Sequence, residues 1–481
     1  MVDRQPLLFM NGLALAALGL LMLLPALVDA VDNASDARVF LASAGATLAV
    51  GGFFITASGG FGPRLNRKTG FLITTSVWIT VSLFAALPFA FGALPLSYVD
   101  GVFEAVSGLT TTGATTIAGL DDAPKGMLLW RALLNWMGGM GIIGMAMVLL
   151  PFLQVGGMQL FRTESSDRSD KVLPGTRETA LAMITVYLSL DVACALAYWF
   201  GGMGAFDAIC HAMATVSTGG FSTHDASFAY FHSRFIFWSA TIFMFLGALP
   251  FVLFIRLARG EFHLLWRDTQ VVALATVIIV ASLAIALYII GPNRPWTTAV
   301  PDSIFNVVSI VTTTGFASTD YSAWGPFPML VFLMLAFHGG CTGSTAGGIK
   351  TMRVQVLVRQ AFVQVRRILL PHAVTPMRYG GRAIAPELAS SVSTFALLYI
   401  ITVFAVAFGL GLTGLDLFPA LTASAAAVGN VGPAFGDILG HGQRYGSLSD
   451  LAKIILASGM LAGRLEFLTV IVLLTKTFWR S

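Results

Sequence analysis

Four short runs of this chain nearly repeat one another at intervals of about a hundred residues: Thr110–Thr116 (TTTGATT), Ser217–Thr223 (STGGFST), Thr312–Thr319 (TTTGFAST) and Val428–Gly436 (VGNVGPAFG). Each is a glycine-centred run of hydroxyl-bearing or small residues with long apolar segments on both sides. Its key glycines are read as Gly113, Gly219, Gly315 and Gly432. A fourfold loop that exposes backbone carbonyls inside a bilayer is what a pore for a dehydrated cation requires.

The bilayer itself follows from bulk chemistry. Hydrophobic residues make up 56% of the chain and charged residues 11%, with a mean hydropathy of +0.81, which a solvated globule cannot accommodate. Cys194, Cys210 and Cys341 lie in apolar or pore-like surroundings and have neither disulfide nor metal-ligand spacing, so they read as packing residues.

The apolar run Leu7–Val28, at about 22 residues, is long enough to span rather than to serve as a cleaved leader. A second span over Phe40–Ser58 and a basic turn at Arg64, Arg67 and Lys68 complete an accessory hairpin, residues 1–69. One unit then recurs four times: a long apolar helix, a half-length segment opening with aspartate, the glycine run, and a second long apolar helix. The units fall at 70–177, 178–267, 268–385 and 386–481. The expected fold is an all-α membrane protein of four pseudo-repeats around a central pore. Asp100, Asp207, Asp302 and Asp416 read as N-caps of the half-length helices, where a carboxylate satisfies free N–H groups and the helix dipole. Segments of about ten residues cannot cross, but they can dip in and return if their irregular backbone is buried or lines water.

With every glycine run opening outward, most of the 28 Lys and Arg residues fall on the cytoplasmic side. Both chain termini are then cytoplasmic. Asp29, Asp32, Asp36, Asp121, Asp122, Asp225, Asp320, Asp437 and Asp450 fall outside, either as an acidic vestibule that concentrates cations or as solvated loop charges. Stripping water from an ion is costly, so a ring of oxygens must replace the hydration shell, and glycine permits the backbone conformations that build one.

These motifs, together with FEAVSGL before the first run, HGGCTGSTAGGIKTMR at 338–353 and GRLEFLTV at 463–470, resemble the channel-like membrane subunit of the Trk/Ktr/HKT superfamily of potassium transporters. The bacterial Trk branch is the nearest, across almost the whole chain. The resemblance implies a filter built from Thr111, Thr112 and Gly113; Thr218, Gly219 and Gly220; Thr313, Thr314 and Gly315; and Asn430, Val431 and Gly432. Potassium, the substrate, would lie at Thr112, Gly113, Thr218, Gly219, Thr314, Gly315, Val431 and Gly432. It also implies a homodimer with one pore per protomer in the cytoplasmic (inner) membrane, a cytoplasmic ring of nucleotide-binding regulatory subunits, membrane lipid around the bundle, no nucleic acid, and no cofactor within this chain. Glycine at all four key positions favours potassium. In the fourth run Gly429 competes with Gly432 for the filter position.

The segment Gly339, Gly340, Cys341, Thr342, Gly343, Ser344, Thr345, Ala346, Gly347, Gly348 should break the third inner helix. It reads as a gate, with close helix packing as the alternative; its near-match to a phosphate loop fails on spacing and on the lack of a preceding strand. Arg464 is placed within a last helix, Leu451–Leu474, either facing the ion path or paired with helix-end carbonyls; Glu466, on another face, is a poor partner for it. Glu104 and Asn306 read as braces for their own filters, while His211 and Asp191 are further buried polar candidates. The basic stretch from Lys350 to Arg382 is a lipid anchor or a docking face for the regulatory ring.

The expected function is potassium uptake through a gated selectivity filter, with ion-coupled symport by protons or sodium as the alternative. Units of one shared orientation argue against alternating access through inverted repeats. No HExxH, GxSxG or clustered Cys/His set supports an enzyme.

Overall fold

The computed structural model describes residues 4–59, 67–149, 176–292, 294–370, 372, 376–380, 382–435 and 445–480. Arg64, Gly436 and Asp437, named above, lie outside these residues. The described chain is helical apart from a two-residue ladder that pairs Arg378–Tyr379 with Arg382–Ala383.

Among the described residues, six helices are long and apolar enough to cross a membrane. Two form the accessory hairpin, Arg4–Val31 and Asp36–Ala57, and four open the repeats: Lys68–Phe91, Glu178–Phe200, Thr269–Ile289 and Pro386–Leu412. Large apolar side chains stand exposed along them, among them Val192, Ile279, Leu283, Phe404 and Phe408. Such a belt is an aggregation hazard in water and is covered by lipid in a bilayer.

Each outer helix is followed by a short pore helix: Tyr98–Leu109, Ala205–Val216, Trp296–Val311 and Leu417–Gly429. A helix of 12 residues rises about 18 Å, well short of the roughly 30 Å hydrocarbon layer, so it enters and returns. The starts of these helices correct the capping expectation. Ser97, not Asp100, caps the first, and Asp100 sits three residues further in, closing a reciprocal capping box with it. Asp207 lies in the first turn of the second helix and accepts from Thr223 Oγ1 at 2.8 Å. Asp302 is deep within the third helix and pairs with Arg294 at 3.1 Å, while Pro295 holds the cap position. Only Asp416 occupies an N-cap position, and its side chain makes no capping bond.

The inner helices differ from one another. Lys125–Leu149 runs unbroken for 25 residues. The second, Arg234–Gly247 and Phe251–Leu257, bends by 101° before Pro250-capped Phe251. The third stops at Pro326–His338 and resumes as Thr351–Leu369. The fourth breaks where a continuous Leu451–Leu474 helix was expected. Asp450–Arg464 ends, Glu466 takes a left-handed φ of 55°, and Phe467–Leu474 begins a new helix.

Buried aspartates fasten the accessory hairpin to repeat one. Asp29, 0% exposed, accepts from Gly126 N at 2.6 Å, and Asp36, 2% exposed, from Ala93 N at 2.9 Å. Asp32 pairs with Lys125 at 2.9 Å. Buried on these N–H groups, Asp29 and Asp36 are anchors rather than vestibule or loop charges, whereas the Asp32–Lys125 pair stays partly exposed.

Candidate ion pathway

All four pore helices end in the same backbone device. Thr111, Thr218, Thr313 and Asn430 take left-handed φ values of 52°, 52°, 59° and 54°. Two residues later Gly113, Gly220, Gly315 and Gly432 do so again, at 82°, 76°, 82° and 96°. Between them, Thr112, Gly219, Thr314 and Val431 donate their N–H back into the pore helix, to Ser107 O, Ala214 O, Ser309 O and Ala426 O, at 2.8 to 2.9 Å. Alternating φ signs turn successive carbonyls toward one side, while the middle N–H groups are satisfied by the pore helix. The structure also shifts the second run by one residue: Gly220, not Gly219, is the counterpart of Gly113, and Gly219 that of Thr112. In the fourth run the counterpart is Gly432, and Gly429 is the last residue of the pore helix.

The four segments meet. A Cβ built on Gly113 would overlap the Gly219 carbonyl, one on Gly220 the Thr314 carbonyl, and one on Gly315 the Val431 carbonyl. Asn430 Nδ2 donates to Thr112 Oγ1 at 3.0 Å, which closes the circuit from the fourth segment to the first. The ring runs one, two, three, four, and all its members are buried.

Behind each segment stands a brace from its own pore helix. Glu104 accepts from Thr116 N at 2.9 Å and Thr115 Oγ1 at 2.8 Å. His211 Nε2 meets Ser222 Oγ at 3.0 Å, and Asn306 Nδ2 donates to Ser318 Oγ at 2.9 Å. Thr422 Oγ1 donates to Phe435 O at 2.9 Å and accepts from Phe435 N at 3.1 Å. The sequence pointed to Glu104 and Asn306 as braces; Thr422 passed unnoticed as one hydroxyl in a run of alanines. Arg131, not singled out from the sequence, is 2% exposed, with Nε on Glu104 Oε1 at 2.7 Å and Nη1 on Ser222 O at 2.7 Å. The fourth segment departs from the rest, since Tyr445 Oη donates to the Gly432 carbonyl at 2.7 Å.

The loop Gly339–Gly348 packs against the pore-helix ends, where the chain enters the ring. Gly347 N donates to Thr313 Oγ1 at 2.8 Å and Gly348 N to Gly429 O at 3.0 Å. Thr345 Oγ1 reaches Val216 O at 3.0 Å and Gly247 O at 3.1 Å. On the far side, Cys341 N donates to Ala248 O and Thr342 N to Gln270 Oε1, each at 2.9 Å. Arg464, 3% exposed at the end of its helix, donates Nη1 to Thr345 O at 2.8 Å and Nη2 to Gly138 O at 3.4 Å. It therefore ties the loop to the first inner helix. Glu466 pairs instead with Arg353, at 2.9 Å.

The residues leaving the ring line a cavity of about 380 Å³, with Phe221, Ala317 and Ala434 around it and Asp225 and Asp320 among its acidic members. Of the expected vestibule carboxylates, these two line the mouth. His224 also lines it, with Nδ1 on Asp121 at 2.5 Å and Nε2 facing Asp207 at 3.6 Å. Burial alone would lower its pKa, but the two carboxylates outweigh that and raise it above the ordinary 6.5. Asp191 lies off the pathway, between repeats one and two, and accepts from Trp136 Nε1 at 2.7 Å. Cys194, Cys210 and Cys341 are buried and form no disulfide, in keeping with packing residues.

The family model described as TrkH, cation transport protein, matches residues 46–480. The Trk system potassium uptake protein TrkI of Halomonas elongata is 42% identical over 477 residues, 99% of this chain and 97% of its own. TrkH of Escherichia coli strain K12 is 38% identical over 472 residues, 96% of each chain. The crystal structure of the potassium transporter TrkH from Vibrio parahaemolyticus superposes with a TM-score of 0.92 at 36% identity, covering 100% of both chains. These relatives are transport proteins, not enzymes. This chain, a multi-pass membrane protein whose four pore hairpins meet in one ring, belongs to the TrkH family of cation transport proteins.

Proposed function

We propose that the chain takes up potassium through this ring, the carbonyls of the four segments standing in for the ion's hydration water. The observation that carries the reading is the circuit itself: three glycine-to-carbonyl approaches and the Asn430–Thr112 bond bring the segments together. The relatives' names as potassium uptake proteins support the choice of ion. Potassium would bind at the carbonyls of Thr111, Thr112, Thr218, Gly219, Thr313, Thr314, Asn430 and Val431 and at Gly113, Gly220 and Gly315. Gly432 contributes less, because its carbonyl already accepts from Tyr445.

The loop Gly339–Gly348 is the gate. It sits against the ring's entry side and is pinned there by Arg464, whose charge also opposes a cation below the filter. The chain works as a homodimer in the inner membrane, with both termini cytoplasmic and lipid around the outer helices. A ring of nucleotide-binding regulatory subunits docks on the basic cytoplasmic face that includes Arg359, Arg366 and Arg367.

Rubidium uptake into liposomes that contain the reconstituted chain, with sodium and lithium as competitors, tests the reading. Wild-type protein should pass rubidium down its gradient without a coupled proton flux. Gly113→Ser should erode the preference for rubidium over sodium, because the added side chain presses on the Gly219 carbonyl. Unaltered preference in that variant would remove the ring as the filter.

A further inference from the structure

Gly219 poses a question that the other filter glycines do not. Gly113, Gly220, Gly315 and Gly432 need glycine for their left-handed φ, whereas Gly219 is outside that region. Its counterparts Thr112, Thr314 and Val431 all carry side chains. What excludes one here is Asn135 on the unbroken inner helix of repeat one: a Cβ on Gly219 would lie 2.5 Å from Asn135 Cγ and 2.6 Å from Nδ2. Asn135 is 0% exposed, and neither its Oδ1 nor its Nδ2 has a hydrogen-bond partner among the described residues. A buried, unpartnered amide is costly, so hydrogen bonds of its own do not hold it against the filter. The helix does.

That helix is locked one turn earlier. Arg131 donates to Glu104 behind segment one and to Ser222 O beyond segment two, and its guanidinium lies 4.1 Å from the centroid of the Phe221 ring. In the first repeat the brace itself is half of an ion pair, Glu104 with Arg131; the braces of the others are His211, Asn306 and Thr422. One helix face thus carries, a turn apart, a cation that bridges the two exit strands and an amide that fills the space beside the second.

We propose that Arg131 and Asn135 are positioning residues that fix filter segment two against segment one, and that discrimination among monovalent cations depends on this strut. It rests on the reading of the ring as the ion filter. Cations of like charge differ in size by a fraction of an ångström, so a ring selects among them only while its carbonyls keep their spacing. A Cβ at Gly219 would force Asn135 or the segment to shift, and removing the amide would relieve it.

Full-length chain in liposomes, assayed for rubidium uptake against sodium competition, tests this. Gly219→Ala should lower the rubidium-to-sodium preference by about tenfold, and Gly219→Ala with Asn135→Ala should return it to within about threefold of wild type. The same Asn135 change should not rescue Gly220→Ala, whose obstacle is the Thr314 carbonyl. Arg131→Lys keeps the charge beside Glu104 and loses the reach to Ser222 O, so it should lower the preference while leaving the melting temperature in detergent near wild type. That variant decides the matter if neither alanine variant yields folded protein. Wild-type preference in Gly219→Ala or in Arg131→Lys, or a double variant as poor as the single, overturns the strut. If wild type itself shows no preference for rubidium, the filter reading fails and the strut with it.

Discussion

The filter ring and the loop Gly339–Gly348 are both rich in glycine and hydroxyl side chains and lie against each other, yet they are held in different ways. In the ring, every middle residue returns its N–H to its own pore helix, as Thr112 does to Ser107 and Thr314 to Ser309. In the loop, the bonds run outward to separate elements: Thr313, Val216, Gly247, Ala248, Gln270, Gly429 and Arg464. A segment bonded to its own helix keeps its shape when its neighbours move. A segment bonded to its neighbours is released when they do. Composition alone predicts irregular backbone in both places; where the hydrogen bonds close distinguishes them, and under the proposed function the ring is the fixed element and the loop the movable one.

The largest effect should come from breaking the ring. Gly315→Ala places a side chain at φ 82° and against Pro433 Cδ at 2.9 Å as well as the Val431 carbonyl. Left-handed strain alone costs about 1–2 kcal/mol, and the overlap adds to it, so selective rubidium uptake should fall by about a hundredfold. Uptake within a few fold of wild type would show that the ring tolerates what the geometry forbids.

Next should come the pin of the loop. Arg464→Gln removes charged donors from Thr345 O and Gly138 O, and hydrogen bonds to charged groups contribute roughly 1.5–3 kcal/mol. Under the proposed gate, those bonds hold the loop and not the ring, so flux should rise by about tenfold with selectivity kept. Unchanged flux at normal expression would assign Arg464 to packing. Thr345→Val keeps the shape and removes one hydroxyl that reaches Val216 O and Gly247 O. A neutral bond contributes about 0.5–1.5 kcal/mol, so a rise of a few fold in flux is expected, smaller than for Arg464. If Thr345→Val raised flux more than Arg464→Gln, the order of these two anchors would be reversed.

How far these regions could be read from the sequence follows from the range of the interactions. The four runs and their pore helices were legible because each is a local pattern of glycine after a short apolar helix. The STGG register was not, since two adjacent glycines do not say which is needed for conformation and which for space; Asn135, from another repeat, makes that distinction. Arg131 drew no notice in the sequence because its carboxylate partner, Glu104, lies on a different helix. Asp29 and Asp36 looked like vestibule charges because nothing local shows the N–H groups of Gly126 and Ala93 that they meet. The break at Glu466 has no proline to announce it, and the Arg353 pairing that accompanies it comes from the helix after the loop. Sequence periodicity shows elements, and long-range polar contacts decide their ends.

The smallest effect tests whether the mouth beyond the ring shares its rigidity. His224 faces Asp121 from the loop after segment one and Asp207 from pore helix two, stacks on Tyr230 at 3.5 Å, lies 6.4 Å from the His211 ring and precedes Asp225 in the chain. Its folded pKa is raised, so the cationic form favours the native arrangement. That contribution is complete below the unfolded value of about 6.5 and is lost as pH rises through the folded one. Raising the pH on the mouth side from about 6 to about 8 should therefore loosen the tie between repeats one and two. Because Asp121 is 44% exposed, solvent screening keeps the pair weak, and rubidium uptake should change by less than about twofold. His224→Gln should flatten that dependence. A pH response of the same size in the variant would place the titrating group elsewhere, and a response as large as that of Gly315→Ala would mean that the mouth, and not the ring, limits passage.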